Sequence, residues 1–163
     1  MTKPAPPDTA AITSFWQSAR RLYPDAVHGD SFRIRALGDT PEMMNSILGH
    51  VLRGEKKGTF ALPWLHAKDP SATPRIGDYV VLVDYEGRPA ALVTTTQLEN
   101  VTFDTISGNH TALDGPRMRD PAAWKTLHQA FWTKQLAAAG LQFSKDMPVV
   151  VEHFELLHPL REP

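Results

Sequence analysis

The chain contains no cysteine, which excludes a disulfide framework, a thiolate metal site and a cysteine nucleophile. No apolar run approaches the roughly 20 residues of a membrane-spanning helix, and the N-terminus lacks the apolar stretch of a secretory signal. Neither sign of charge is in excess, because 17 Lys and Arg residues stand against 18 Asp and Glu residues. These absences favour a cytoplasmic protein with no membrane partner, and they exclude a protein that coats nucleic acid with uniform positive charge.

The composition that is present suits one folded domain. The chain has 163 residues, of which 42% are hydrophobic and 21% are charged, close to the average of globular proteins. Residues 1–8 are rich in proline and predict a disordered leader. Residues 159–163 are expected to form a short C-terminal tail.

Apolar residues at helical spacing predict three helices. The first helix, with the connection after it, covers residues 9–32 and is expected to pack on the rest of the domain. The second follows a capping-box-like pair, Asp39 and Glu42, and ends before Gly54. The third begins at Asp120, and its aromatic residues are expected to serve packing rather than the stacking of bases.

Alternating and continuous apolar segments predict the strands of one sheet. These strands are expected over residues 32–35, 59–62, 79–85, 90–96 and 149–157. Residues 104–119 form a long irregular stretch, and connections of that length are usually functional or partly helical. Helices around a mainly antiparallel sheet define the α+β class.

Several motifs follow one another in an order that is typical of one family. A G-x-K-x-x-T element, formed by Gly54, Lys56 and Thr59, comes directly after the second predicted helix. Further matching segments are residues 37–43, 76–79, 95–99, 103–104 and 146–154, together with Trp124, His128 and Phe131. In these motifs, from about Arg33 to Phe154, the chain resembles the ASCH domain, a relative of the PUA RNA-binding fold. The domain is expected to cover residues 33–158.

The resemblance implies a PUA-like, mixed but mainly antiparallel β-barrel, with helices packed around it and a cleft on one side. It also implies recognition of RNA or of a nucleoside. Similar bacterial proteins have two activities, which are the cleavage of single-stranded RNA and the deacetylation of N4-acetylcytidine. In the second group a Lys, a Thr and a loop Glu act together, and these roles fall on Lys56, Thr59 and Asp114. The acid of this chain is one methylene shorter than that Glu.

The chemistry of these residue types is consistent with catalysis, although each also has a structural interpretation. A Thr hydroxyl becomes a nucleophile when a base takes its proton, and a desolvated Lys56 could be that base for Thr59. Alternatively, Lys56 is a solvated loop lysine and Thr59 an ordinary strand residue. Asp114 could hold Lys56 or simply form an Asx turn. His110 is a further acid–base candidate, because an imidazole titrates near neutrality.

A basic strip beside flat side chains predicts contact with a single-stranded nucleic acid. Five cations lie against two acids in residues 53–75, a local excess of 5 − 2 = +3. The cations are Arg53, Lys56, Lys57, Lys68 and Arg75. The candidate substrate-binding residues are Arg53, Lys57, Phe60 and Trp64. No zinc spacing or phosphate loop predicts a cofactor, and the need for a divalent metal stays open.

The sequence therefore predicts a protein that binds RNA or a modified nucleoside in a cleft at Lys56 and Thr59. The leading activity is hydrolysis of single-stranded RNA, in which Lys56 or Lys57 stabilises phosphate charge and His110 or Asp114 moves protons. The alternatives are an N4-acetylcytidine amidohydrolase and a non-catalytic RNA-binding regulator. An enzyme requires a closed, partly desolvated pocket around Lys56, whereas pure binding needs only an open basic groove.

Overall fold

The structure is a computed structural model in which residues 3–67 and 69–159 are described. Its strands are β1 Arg33–Arg35, β2 Gly58–Ala61, β3 Tyr79–Val83, β4 Pro89–Thr102 and β5 Pro148–His158. Its α-helices are α1 Thr9–Leu22, α2 Pro41–Leu52, α3 Pro63–His66, α4 Gly108–Thr111 and α5 Pro121–Ala138. The α+β class and the order of the main elements agree with the prediction. None of the helices in the described ranges combines the length and the hydrophobicity needed to cross a membrane.

The five strands form one sheet in the order β1-β3-β4-β5-β2. The β1–β3 pair is parallel, and the other three pairs are antiparallel. Within the described residues no ladder joins β1 to β2, so the sheet is open and the predicted barrel is not confirmed. The two edge strands have only 3 and 4 residues, which leaves little backbone with which to close the sheet.

Strand β4 is longer than predicted, with 14 residues that continue to Thr102. Polar residues after Thr96 break the apolar pattern, so the sequence predicts an end there. The ladder with β5 nevertheless continues as far as the pair Thr102 and Pro148, past an irregularity in register between Thr95 and Gln97. A bulge of this kind bends a strand, and here the long β4 connects two differently packed halves of the sheet.

Helices pack on the sheet through three apolar clusters. The α1 side chains Ile12 and Trp16 pack with β3 and β4 residues, among them Val81. The α2 side chains Leu48 and Val51 pack on the opposite face of the same strands. Helix α5 contributes a third cluster, in which the buried aromatic residues are Phe60, Phe103, Trp124 and Trp132. The expected packing role of the aromatic residues in this last helix is confirmed.

The ends of two helices show which residues cap them. The N-cap of α2 is Thr40, whose side chain accepts a hydrogen bond from the Met43 N–H at 3.2 Å. The sequence predicts a capping pair that begins at Asp39, but the residue that caps the helix is its neighbour Thr40. The prediction for α5 is confirmed, because its N-cap is Asp120.

Residues 3–8, predicted as part of a disordered leader, are attached to the turn between β3 and β4. The Ala5 N–H donates to the Tyr85 carbonyl at 2.8 Å, and the Asp8 N–H donates to the Gly87 carbonyl at 2.8 Å. Gly87 has φ +80°, and Pro6 lies where a Cβ would stand, so a glycine is required there. Most of the predicted C-terminal tail, residues 160–163, lies outside the described residues.

Candidate functional site

A buried ion pair between Lys56 and Asp114 forms the centre of the candidate site. Lys56 Nζ donates to Asp114 Oδ1 at 2.8 Å, and the two residues are only 6% and 7% exposed. The same carboxylate oxygen accepts the Gly115 N–H at 2.8 Å. The structure thus brings together two residues that the sequence placed in one cleft, and Lys56 is not a solvated loop lysine.

Backbone hydrogen bonds fix the loop that carries Lys56. Its own N–H donates to the His50 carbonyl at the end of α2, at 3.1 Å. The next N–H, of Lys57, donates to the Leu113 carbonyl at 2.7 Å, and the Lys57 carbonyl accepts from Phe154 of β5 at 3.0 Å. The lysine side chain therefore enters the interior from a loop that is bound on three sides.

The segment that carries Asp114 is ordered as well, although its sequence predicts an irregular stretch. It contains α4 and a 3-10 helix at Pro116–Met118. The Arg119 guanidinium donates to the Asp114 carbonyl at 3.1 Å and to the Glu55 carbonyl at 2.8 Å. These bonds hold the acid-bearing segment directly against the lysine-bearing loop.

Burial lowers the pKa of Lys56 below the ordinary value of a lysine. The charge of Asp114 and its hydrogen bond act in the opposite direction, and the nearby Arg35 lowers the pKa further. The net direction is downward, so the neutral amine is more accessible than in water. Lys56 has the environment that a proton-accepting lysine needs.

Thr59 lies on β2 directly opposite Glu152 of β5. Paired residues of an antiparallel ladder direct their side chains to the same face of the sheet, and Thr59 is partly buried there. Both line a small pocket together with Arg35 and Phe154. Thr59 thus borders a confined space whose lining residues include the buried Glu152.

Glu152 belongs to a second buried polar group that the sequence analysis missed. Its side chain is 3% exposed and accepts hydrogen bonds from Arg35 Nη1 at 2.8 Å and from Thr95 Oγ1 at 3.0 Å. The available signal was a carboxylate in the middle of an apolar strand, directly after Val149, Val150 and Val151. A charge in such a position requires a partner, and Arg35 on β1 supplies it.

A larger cavity of about 320 Å³ opens between β1 and the segment that follows α3. Its polar lining consists of Arg33, Arg35, His66, Asp69, Ser71, Asp78 and Glu152. Because Arg35 and Glu152 also line the small pocket of Thr59, the two spaces adjoin. A cleft therefore lies on this side of the sheet, but the residues that line these two spaces include neither Lys56 nor Asp114.

His128 of α5 is a further residue that the sequence analysis did not assign to the site. Its Nδ1 donates to the Trp124 carbonyl at 2.9 Å, and its ring stacks on that of Trp124 at a centroid distance of 3.9 Å. Burial lowers its pKa to about 4, with opposing influences from Asp114 and Lys56. His128 is consequently neutral at pH 7, with its proton on Nδ1 and an acceptor lone pair on Nε2.

The other catalytic candidate, His110, takes part in a local turn. Its Nδ1 accepts the Ser107 N–H at 3.0 Å and caps the short helix α4. This bond explains why a histidine stands at that position. The histidine that interacts electrostatically with Lys56 and Asp114 is His128.

The substrate-binding candidates are dispersed. Phe60 is buried in the core, with its ring centroid 4.7 Å from that of Trp124, so it offers no face for a base to stack on. Trp64 is 38% exposed on α3. Lys57 is exposed, and Arg53 forms an exposed ion pair with Glu55.

Two of the four described cations of the predicted basic strip are neutralised by an acidic partner. Arg53 is paired with Glu55, and Lys56 is paired with Asp114 away from solvent. Lys68 lies outside the described residues. Across the described ranges, no group of three or more His, Asp or Glu side chains has an arrangement that could hold a metal ion.

Comparison with known proteins assigns the family. The sequence model of the ASCH domain matches residues 33–158. A crystal structure of an ASCH domain from Lactobacillus crispatus is similar, with a TM-score of 0.77, 21% identity and coverage of 91% of this chain and 92% of that chain. A crystal structure of an Enterococcus faecalis protein gives a TM-score of 0.82, 24% identity and coverage of 92% of this chain and 91% of that chain. No curated protein matches the chain. The family match and the shared fold show that the chain belongs to the ASCH domain family, which has a PUA-like RNA-binding fold.

Proposed function

We propose that the protein is an amidohydrolase that removes the acetyl group of an acylated nucleoside such as N4-acetylcytidine. The observation that carries this proposal is the desolvated Lys56–Asp114 pair, which lies two residues from the start of the strand that bears Thr59. A lysine of lowered pKa three residues before a threonine supplies the two groups, a base and a hydroxyl, that nucleophilic acyl transfer uses. A site for phosphate charge would instead present its lysine to solvent.

In the proposed reaction, neutral Lys56 takes the proton of the Thr59 hydroxyl as its oxygen attacks the acetyl carbonyl carbon. The carbon–nitrogen bond then breaks, and the leaving amine takes the proton back from Lys56. Lys56 then takes a proton from a water molecule as the water oxygen attacks the acetyl ester of Thr59. The ester carbon–oxygen bond breaks, Lys56 returns the proton to the Thr59 oxygen, and acetic acid leaves as acetate with one proton released to solvent. Asp114 orients the lysine and balances the ammonium charge that forms after each proton transfer.

The structure offers less support to hydrolysis of single-stranded RNA, the leading activity in the sequence analysis. Lys56 is too deeply buried to meet a phosphate of a bound strand, and Arg53 is already paired. His110 caps a helix instead of facing the ion pair. RNA cleavage is therefore kept as the competing outcome of the test.

The test compares two substrates and a set of variants. The purified protein is incubated with N4-acetylcytidine, with cytidine release followed by chromatography, and in parallel with a labelled single-stranded RNA. Thr59→Ser should retain part of the deacetylation because a hydroxyl remains, whereas Thr59→Val should abolish it with little change in volume. Lys56→Arg should also be inactive, because a guanidinium does not give up its proton.

The matched control is Thr96→Val, since Thr96 is an exposed threonine in the middle of β4. It should leave the deacetylation rate unchanged, and every variant should keep the melting temperature of the parent. Deacetylation that survives Thr59→Val would overturn the proposed nucleophile. Cleavage of RNA without deacetylation would replace the proposal with the ribonuclease alternative.

A further inference from the structure

The larger cavity has the dimensions of a site for one small molecule. Its volume of about 320 Å³ lies at the lower end of ligand pockets in proteins. It adjoins the pocket of Thr59 through three shared residues, Arg35, Val80 and Glu152. A molecule in this cavity would therefore lie between β1 and residues 69–74, with one end at the boundary that the cavity shares with the pocket of Thr59.

The charges around the cavity already have partners inside the protein. Arg35 is paired with Glu152 at 2.8 Å, and Arg33 is paired with Asp78 at 3.2 Å. Two arginines therefore stand against three carboxylates when Asp69 is included, a balance of 2 − 3 = −1. Burial and the nearby Arg35 lower the pKa of His66, so this histidine adds little positive charge at pH 7. A phosphate group would enter a lining with no free cation among these residues.

The buried pair at the boundary between the two spaces presents a hydrogen-bond donor beside an acceptor. Only Nη1 of Arg35 is bonded to Glu152, so the guanidinium has further N–H groups. Each oxygen of Glu152 accepts one bond, from Arg35 or from Thr95, and each has another lone pair. The ring edge that fits such a wall carries an acceptor beside an N–H donor.

We infer that this cavity holds the base of the substrate, and that Arg35 and Glu152 recognise its hydrogen-bonding edge. Arg35 donates to ring acceptors, and Glu152 accepts from the N–H that bears the acyl group. An acylated cytosine carries these groups in that order. Since Thr59 lies opposite Glu152 on the neighbouring strand, the acyl group beside that N–H reaches the hydroxyl. The ligand class is an uncharged nucleoside without phosphate.

This inference rests on the proposed function for the identity of the acyl group, but it can be tested without catalysis. Calorimetry measures the binding of cytidine, uridine and cytidine 5′-monophosphate to the intact protein. Cytidine should bind at least about tenfold more tightly than uridine, because uridine presents a donor where cytidine has an acceptor and leaves a buried group unpaired. The monophosphate should also bind more weakly than cytidine, because its charge meets the acidic lining.

The variants Arg35→Lys and Glu152→Gln should weaken cytidine binding by about tenfold or more. In the deacetylation assay they should raise KM more than they lower kcat, since they act on binding. The control is Arg88→Gln, which removes an exposed ion pair at the β3–β4 turn and should change neither quantity. The melting temperature of each variant identifies any loss of folding, and in that case the preference of the parent protein among the three ligands decides.

The two proposals fail separately in this experiment. If cytidine binds selectively and its binding depends on Arg35 and Glu152, but N4-acetylcytidine is not deacetylated, the proposed base-binding role of the cavity is supported. The proposed reaction is then wrong. If the protein deacetylates N4-acetylcytidine but neither substitution changes its affinity for cytidine, the proposed base-binding role of the cavity is wrong, while the proposed reaction is unaffected. Equal affinity for cytidine and uridine, or a higher affinity for the monophosphate, would also contradict the proposed base-binding role of the cavity.

Discussion

At the scale of single residues, the energetic balance of the Lys56–Asp114 pair bears directly on its role. Removing two charges from water costs several kcal/mol for each ion by general estimates, about as much as their attraction returns. A buried pair therefore contributes little net stability compared with apolar residues of the same size. The proposed reaction would give this pair, with a lysine only 6% exposed, a role other than stability.

His128 should make the stability of the protein depend on pH. Its pKa is lowered from 6.5 to about 4 in the folded state, so between these values the unfolded chain binds more protons. The stabilisation is fully present above pH 6.5 and is lost as the pH falls towards 4. Its size is about 3 kcal/mol of unfolding free energy.

Urea unfolding at several pH values between 7 and 4.5 measures this dependence. His128→Gln should reduce the slope over that range, whereas His28→Gln, a change in an exposed histidine, should leave it as in the parent. A His128→Gln profile that matches the parent at every pH would show that this ring does not carry the proton linkage.

Part of the candidate site could be predicted from the sequence through its resemblance to the ASCH domain. Lys56, Thr59 and Asp114 stand in a recognisable motif and loop, and the contact between Lys56 and Asp114 is present in the structure. Arg35 and Glu152 could not be paired in advance, because their contact joins positions 117 residues apart and depends on the sheet order. Sequence patterns record local spacing, whereas such contacts are created by topology.

At the scale of elements, Gly58 at the start of β2 sets how closely three segments approach. A Cβ there would lie 2.6 Å from the Glu152 carbonyl and 3.1 Å from the Leu113 side chain. Both neighbours belong to segments with site residues: Glu152 lines the cavity, and Leu113 immediately precedes Asp114. The absence of a side chain at Gly58 therefore allows the loop that carries Lys56, strand β5 and the segment that carries Asp114 to pack together.

Gly58→Ala should destabilise the protein by about 2 kcal/mol or more, because backbone must move to accept the methyl group. Gly108→Ala is the control, since no atom lies within 4 Å of a Cβ at that position. Chemical unfolding gives both free energies, and the Gly58 variant should also lose binding of the nucleoside. Equal stability of the two variants would contradict the close approach.

The limits of element prediction have physical causes in this chain. The core of each long helix was predicted from its apolar stripe, but the cap of α2 at Thr40 depends on which of two adjacent polar residues reaches the Met43 N–H. The end of β4 was missed because β5 pairs with its polar half. Both errors arise where partners outside the element decide where it ends.

At the scale of the whole molecule, the sheet is open while the family resemblance implied a barrel. The parallel β1 and the short β2 form edges that, in the described residues, are not joined to each other. The larger cavity opens beside β1, and the pocket of Thr59 adjoins it across the β1 residue Arg35. The cavity thus lies at the open edge of the sheet. In a closed barrel of this size, side chains would fill the interior.

Helix α1 lies outside the region that matches the family, yet it belongs to the same core. Trp16 is 3% exposed, and its ring lies 5.0 Å from that of Phe32 and 5.2 Å from that of Tyr79. These contacts join α1 to the segment that leads into β1 and to the first residue of β3. The helix therefore packs against residues next to β1, the strand that carries Arg33 and Arg35.

Trp16→Ala should consequently destabilise the whole domain rather than release the helix alone. Loss of a buried tryptophan costs about 3–5 kcal/mol, and unfolding should remain a single transition because α1 shares one cluster with β3 and β4. Gln17→Ala, an exposed change in the same helix, should have little effect. Urea unfolding followed both by far-ultraviolet circular dichroism and by tryptophan fluorescence tests this. A Trp16→Ala variant in which α1 melts separately, while nucleoside binding persists, would show that the domain folds and functions without it.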